Sequence, residues 1–332
     1  MVGFDVRSVD RSIGALHDMA ESIRILFLGT PDFAVPSLRA LVAQPDMEIV
    51  LVVTQPDRPA GRGRALQPPP VKMAALELGL PIWQPTSLRG AEVEERFRLL
   101  SPAVGVVVAY GELIPRRLLE LVPHGFLNVH PSLLPRYRGA SPIQAALLNG
   151  DEMTGVTVIL LTPELDAGPI VRQVAVPILP EDTGQTLSSR LAALAAEILP
   201  ETVRDWVKGK IAAVPQDEQQ ATYTRPLSKE DGRVDWSLPA ERIERAIRAL
   251  QPWPCAWTLI RGRRLILLRA HLTQNEQRLA PGCLAPTSTE LLVGTGSCAL
   301  ALDIVQPEGK KPMTGLDWWR GARLAPGSCF DA

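Results

Sequence analysis

Two hydrophobic rhythms alternate along the N-terminal two thirds of the chain. Short, largely apolar stretches occur at Ile23–Leu28, Glu48–Val53, Ala103–Ala109 and Phe126–His130, with further β-branched runs at Gly155–Leu161 and Ile170–Val176. Runs of this length predict strands covered on both faces, as in a parallel sheet. Between them, apolar residues spaced three and four apart predict helices over Pro36–Ala43, Val71–Leu78, Ser141–Leu148 and Leu187–Val207. Strands alternating with helices give an α/β fold with a Rossmann-like, mostly parallel sheet. The stretch Thr54–Pro70, dense in Pro, Gly and Arg, reads as a long loop. Beyond Lys208 the pattern changes. Ala212–Pro226 is polar and reads as a linker, and Pro239–Leu250 as a helix. Strands are then expected at Ala256–Ile260, Arg264–Ala270, Leu291–Val293 and Cys298–Val305, separated by Gly262, Gly282, Gly294 and Gly296. Short strands at this spacing predict a smaller C-terminal antiparallel β-barrel of the OB-like kind. The expected boundaries are an N-terminal extension at 1–22, an α/β domain at 23–207, a linker at 208–228 and the barrel at 229–332.

Composition narrows the picture. At 332 residues, with 46% hydrophobic and 21% charged, the chain suits two domains with real cores rather than a disordered polymer. The net charge of −1 gives no global attraction to nucleic acid, so any basic surface is local. No apolar run is long enough to span a bilayer. Residues 1–22 lack the apolar core of a secretory signal, and Asp5, Asp10, Asp18 and Glu21 argue against a transit peptide. The four cysteines, Cys255, Cys283, Cys298 and Cys329, form no C-x-x-C pair and have no histidine at ligand spacing. They read as scattered thiols in a reducing, cytoplasmic setting, with no metal site. Trp236, Trp253 and Trp257 read as core.

Two segments carry candidate chemistry. Asn128 and His130 stand two apart at a strand end and so point to one face. An amide donor beside an imidazole at a strand's C-terminal edge suits the binding of an oxyanion. Taken alone, they read equally well as a loop cap and a structural histidine. Asp166, followed by Ala167 and Gly168, reads as a turn residue, or as a carboxylate that shares acid–base work with His130. The opening Gly29-Thr30-Pro31-Asp32 lacks the G-x-G-x-x-G spacing of a dinucleotide fold.

Together, Asn128, His130, Ser132 to Pro135, Arg136 to Gly139 and Leu165 to Gly168 resemble the active-site signature of the folate-dependent formyltransferases. The resemblance implies a catalytic trio of Asn128, His130 and Asp166, with 10-formyltetrahydrofolate as formyl donor. It implies donor contacts from Ser132, Leu133, Leu134 and Pro135, and a pteridine pocket edged by Val106–Gly111, with Val108, Tyr110 and Gly111 in contact. The chain departs from the family pattern at Glu112, Pro163, Glu164, Ala167 and Pro169. The loop from Thr54 to Pro70 resembles the insertion loop of those members that act on methionyl-tRNA, with Arg62 matching its key arginine. Arg58, Arg62 and Arg64 can reach phosphates and base edges, and Gly61 and Gly63 let the segment reshape. Without that resemblance the loop reads as a solvated charge run.

Residues around Asp235-Trp236, Gln251 to Pro254, Gly309 to Lys311 and Leu324 to Gly327 resemble the second domain of the same branch. Lys208, Lys210, Lys310 and Lys311 are candidate phosphate contacts. The resemblance covers roughly residues 23–327. It implies an enzyme that formylates methionine on initiator tRNA; a monomer is expected, although the sequence does not fix the oligomeric state. The alternatives are a formyltransferase for a small amine or sugar nucleotide, and a non-catalytic tRNA-binding protein on the same scaffold.

Overall fold

A computed structural model describes residues 22–60, 65–274, 277–325 and 327–331. The expected extension up to residue 21 and the loop residues Arg62 and Arg64 lie outside the described residues. The chain forms two compact units. One holds the chain up to Val129 with Val158–Glu164 and Ala193–Val214; the other holds His130–Thr157, Leu165–Ala192 and Pro215–Ala332.

The first unit begins with β1 (Ile23–Gly29), α1 (Val35–Val42) and β2 (Met47–Val53). A two-stranded ribbon follows, β3 (Arg58–Ala60) and β4 (Ala65–Gln67), and then α2 (Pro70–Glu77). It continues with β5 (Ile82–Trp83), α3 (Ala91–Leu100), β6 (Val104–Val108), α4 (Arg116–Leu119) and β7 (Phe126–His130). β5, β2, β1, β6 and β7 pair in parallel. Ile25 to Leu28 are fully buried, because a parallel strand between two neighbours is covered on both faces. Leu26, Leu28, Val53, Phe97, Leu118 and Phe126 share one core. The expected loop at 54–70 is in part antiparallel pairing, with Arg58 opposite Gln67 and Pro59 opposite Leu66. Its Pro and Gly content hid the ribbon.

The second unit carries β8 (Arg138–Gly139), α5 (Pro142–Asn149), β9 (Met153–Leu160), which runs on into the first unit's residues, and β10 (Ile170–Pro177). α6 (Gly184–Val207) likewise spans both sets of residues. Among the described residues the large sheet has seven strands in the order β10-β9-β7-β6-β1-β2-β5. Then come β11 (Tyr223–Thr224), α7 (Ala240–Ala249), β12 (Ala256–Ile260), β13 (Arg263–Leu272), β14 (Leu284–Pro286), β15 (Leu291–Val293), β16 (Leu300–Pro307), β17 (Met313–Thr314) and α8 (Gly315–Ala322). β12-β13-β16-β15-β14 form an antiparallel path, with β17 added to β16. α7 is strongly amphipathic. Ala240, Ile243 and Ile247 are buried, while Glu241 and Arg242 face solvent.

Two expectations are corrected here. Cys283 and Cys329 are disulfide-bonded, because the tail returns beside β14 and makes them opposed residues of an antiparallel bridge. Trp253 is 51% exposed, since the turn after α7 projects it outward, whereas Trp236 and Trp257 are buried. Phe330 stacks on Trp236 and Trp318, with ring centroids 5.1 and 6.1 Å apart. No described helix is long and apolar enough to cross a membrane.

Candidate active site

β7 is short because Pro131 follows it and cannot donate to a ladder. His130, its last residue, is 4% exposed, and Asn128, two positions earlier on the same strand, is half-buried. Val107 of β6 is the register partner of Asn128.

Around His130 the second unit closes a polar cluster. Nε2 lies 2.9 Å from the Tyr137 carbonyl. A carbonyl only accepts, so Nε2 carries the hydrogen and donates it. Nδ1 turns to Asp166, 3.6 Å from Oδ2. Burial pushes the imidazole below its ordinary pKa, while the neighbouring Asp166 and the Tyr137 carbonyl pull it back up. The ring is therefore neutral near pH 7, with the Nδ1 lone pair free to take a proton and a carboxylate beside it to support the resulting charge.

Asp166 is fixed from two sides. Its Oδ2 accepts the Gly139 backbone N–H at 2.8 Å. Its backbone sits at φ 50°, a conformation that costs an ordinary residue about 1–3 kcal/mol and persists only where neighbours impose it. The Gln216 carboxamide supplies part of that, donating to the carbonyls of Asp166 and Gly168 at 2.7 Å each. Gly139 is itself at φ 107°, and a Cβ there would lie 2.2 Å from the Thr224 carbonyl oxygen. Only glycine fits this place.

The segment Ser132 to Pro135 is a tightly held turn. Ser132 is buried and donates to the Arg136 carbonyl at 2.7 Å. The Leu134 amide donates to Thr157 Oγ1, and its carbonyl accepts from Gln173. Leu133 and Pro135 are half-buried. In the first unit Val108 and Tyr110 are buried and Gly111 is exposed. Burial, helped by the charge of Glu112, pushes the Tyr110 phenol up to about 12. Ala109, Tyr110 and Gly111 line a cavity of about 310 Å³ together with Thr30, Gln55 and Arg58.

The candidate nucleic-acid residues are more dispersed. Arg58 is exposed at the base of the ribbon, donating to Gln55 Oε1. Asp57, next to it, is gripped by Lys72 at 2.8 Å and by Gln84 at 2.7 Å, which hold its carboxyl below the ordinary range. Lys208 and Lys210 are exposed just after α6, with Lys210 3.9 Å from Asp205. Lys310 and Lys311 are exposed in the turn between β16 and β17. Sequence reasoning read Gln216 only as part of a linker and Arg138 only as part of the Arg136 to Gly139 motif, and gave neither a role of its own. The only signal was their polarity inside a presumed linker and a basic motif. Among the described residues no group of three or more His, Cys, Asp or Glu is placed to hold a metal.

Comparison with known proteins bears on this arrangement. The profile of the Formyl transferase family matches residues 23–203, and that of the Formyl transferase, C-terminal domain family matches residues 226–323. The methionyl-tRNA formyltransferase of Roseiflexus castenholzii is 48% identical over 92% of this chain and 98% of its own length. The chain belongs to the methionyl-tRNA formyltransferase family. The family member from Chloroflexus aggregans is 50% identical over 90% of this chain and 97% of its own. Among solved structures, the sugar 3N-formyl transferase WlaRD, determined in the presence of dTDP and 5-N-formyl-THF, aligns with a TM-score of 0.64 at 16% identity, over 88% of this chain and all of its own. At that identity the likeness is one of fold. It agrees with a formyltransferase sheet followed by an antiparallel C-terminal sheet.

Proposed function

We propose that this enzyme transfers the formyl group of 10-formyltetrahydrofolate to the α-amine of methionyl initiator tRNA, in the cytoplasm, where that tRNA starts translation. The observation that carries the chemistry is the buried His130–Asp166 pair, whose free ring nitrogen faces the carboxylate.

The methionyl amine attacks the formyl carbon, and a new C–N bond forms while the formyl oxygen gathers negative charge. The Asn128 carboxamide donates to that oxygen. The amine, now cationic, gives a proton to Nδ1 of His130, directly or through one water. Asp166 supports the imidazolium. The imidazolium returns the proton to N10 as the C–N10 bond breaks, leaving tetrahydrofolate and the formylated amine. No atom is left over, and His130 ends neutral as it began. The turn at Ser132 to Pro135 and the strand end at Val108, Tyr110 and Gly111 hold the donor. The buried side chains among them act chiefly by shaping the backbone.

Arg58, Arg62 and Arg64 engage the acceptor stem, and Lys208, Lys210, Lys310 and Lys311 meet backbone phosphates. In this reading residues 23–207 carry catalysis, 208–228 connect, and 229–332 bind tRNA. The test is an assay of purified enzyme with charged initiator tRNA, uncharged tRNA and small amines such as amino-sugar nucleotides. Formylation of charged initiator tRNA alone is expected. Turnover of a small amine at equal efficiency, or no turnover at all, overturns the reading.

A further inference from the structure

Between the two family-matched spans lies a segment that neither covers, and Gln216 sits within it. We infer that Gln216 is a positioning residue for the proposed transfer centre: its carboxamide, oriented by Arg138, fixes the turn that carries Asp166. The inference rests on the reading of His130 and Asp166 as that centre.

Arg138 is 1% exposed and uses its whole donor set. Nε and Nη2 reach Gln216 Oε1 at 3.1 and 2.9 Å. Nη2 and Nη1 form a fork with the Glu218 carboxylate at 2.7 and 2.9 Å, and Nη1 also reaches the Tyr223 hydroxyl at 3.1 Å. A guanidinium only donates, so the oxygen of the Gln216 amide must face Arg138. That settles where its NH2 points: at the Asp166 and Gly168 carbonyls. These two bonds hold the main chain from the carbonyl of Asp166, the residue at φ 50°, to that of Gly168. β8, which contains Arg138, pairs with β11, so the same strand that seats the guanidinium also supplies the Gly139 N–H to the Asp166 carboxylate. The carboxylate and the main chain of the turn are thus located by one assembly. Residues 216–224 belong to the construction of the centre rather than serving as a passive tether.

The experiment compares the wild-type full-length enzyme with Gln216→Glu and Gln216→Met. Gln216→Glu keeps the contact with Arg138 and replaces both donors with an oxygen that repels the two carbonyls. Gln216→Met keeps the volume and removes every hydrogen bond, which guards against a folding defect peculiar to one variant. The expected result is a kcat lower by about 100-fold, the scale of a roughly 1 Å misplacement of a reacting group, with KM for charged tRNA unchanged. The His130 imidazole, followed by NMR without substrate, is expected to titrate at lower pH in the variants, because the carboxylate that raises it has moved. Wild-type kcat with an unchanged imidazole titration overturns the inference, as does a loss confined to KM for tRNA. If the wild-type enzyme itself fails to formylate charged tRNA, the functional reading falls, while the NMR arm still decides the role of Gln216.

Discussion

A single hydrogen fixes what His130 can do. With Nε2 donating to the Tyr137 carbonyl, only Nδ1 is free to exchange protons, and it faces Asp166. His130→Ala is expected to abolish transfer while the melting temperature stays close to wild type. Asn128→Ala is expected to lower kcat about 100- to 1000-fold with little effect on KM, as for the loss of one oxyanion donor; steady-state assays decide both. The two histidines with resolved shifts give opposite signs of pH dependence. His130 is depressed by burial, so its contribution to stability is present above the unfolded value near 6.5 and is lost as pH falls through that value toward the folded one. His271 is raised, first by its hydrogen bond to Asp303 and further by Glu290. Its contribution is full below about 6.5 and disappears as pH rises through the folded value. The His271 side chain is 48% exposed, so screening keeps its effect under about 1 kcal/mol. Melting curves should show a decline as pH rises above about 6.5 that flattens in His271→Gln.

The elements that the sequence disclosed best are those whose burial leaves a one-dimensional trace. β1, β2 and β6 were legible because a doubly covered strand is a largely apolar run, and α7 because its apolar residues recur at helical spacing. The β3–β4 ribbon was not legible, because its pairing depends on a partner strand rather than on any pattern within the loop. α3 was missed for a related reason. Its buried face is only Val93 and Phe97 among charged residues. At the proposed site, His130 and Asp166 were read from their motifs, but Gln216 was not. Its role comes from three backbone segments meeting in space, and a polar linker residue carries no sign of that.

Two predictions belong at this scale. Gly105 in β6 lies under Phe126, whose ring carbon is 2.1 Å from where a Cβ would stand, so Gly105→Ala should cost about 1–3 kcal/mol in chemical denaturation. The ribbon base is held by Lys72 and Gln84 through Asp57. Lys72→Met should therefore raise KM for charged tRNA on the order of tenfold, the worth of a charged hydrogen bond, and leave KM for the folate donor unchanged.

For the whole molecule, a net charge of −1 means that the proposed attraction to tRNA must come from local arginines and lysines rather than from overall charge. Binding of charged tRNA should therefore weaken steeply with salt, each neutralised phosphate contributing a slope of about 0.7–0.9 in a plot of log affinity against log salt. Lys310→Ala with Lys311→Ala should flatten that slope in filter-binding titrations without altering kcat at saturating tRNA.

The closing strands of the second unit also have a practical corollary. Phe330 lies against two indoles, Trp236 and Trp318, and Asp331 takes the backbone N–H groups of Arg261 and Gly262. Trimming the chain by a carboxypeptidase past that phenylalanine would wet both rings and shift their emission to the red, so the enzyme carries its own fluorescent gauge of an intact tail.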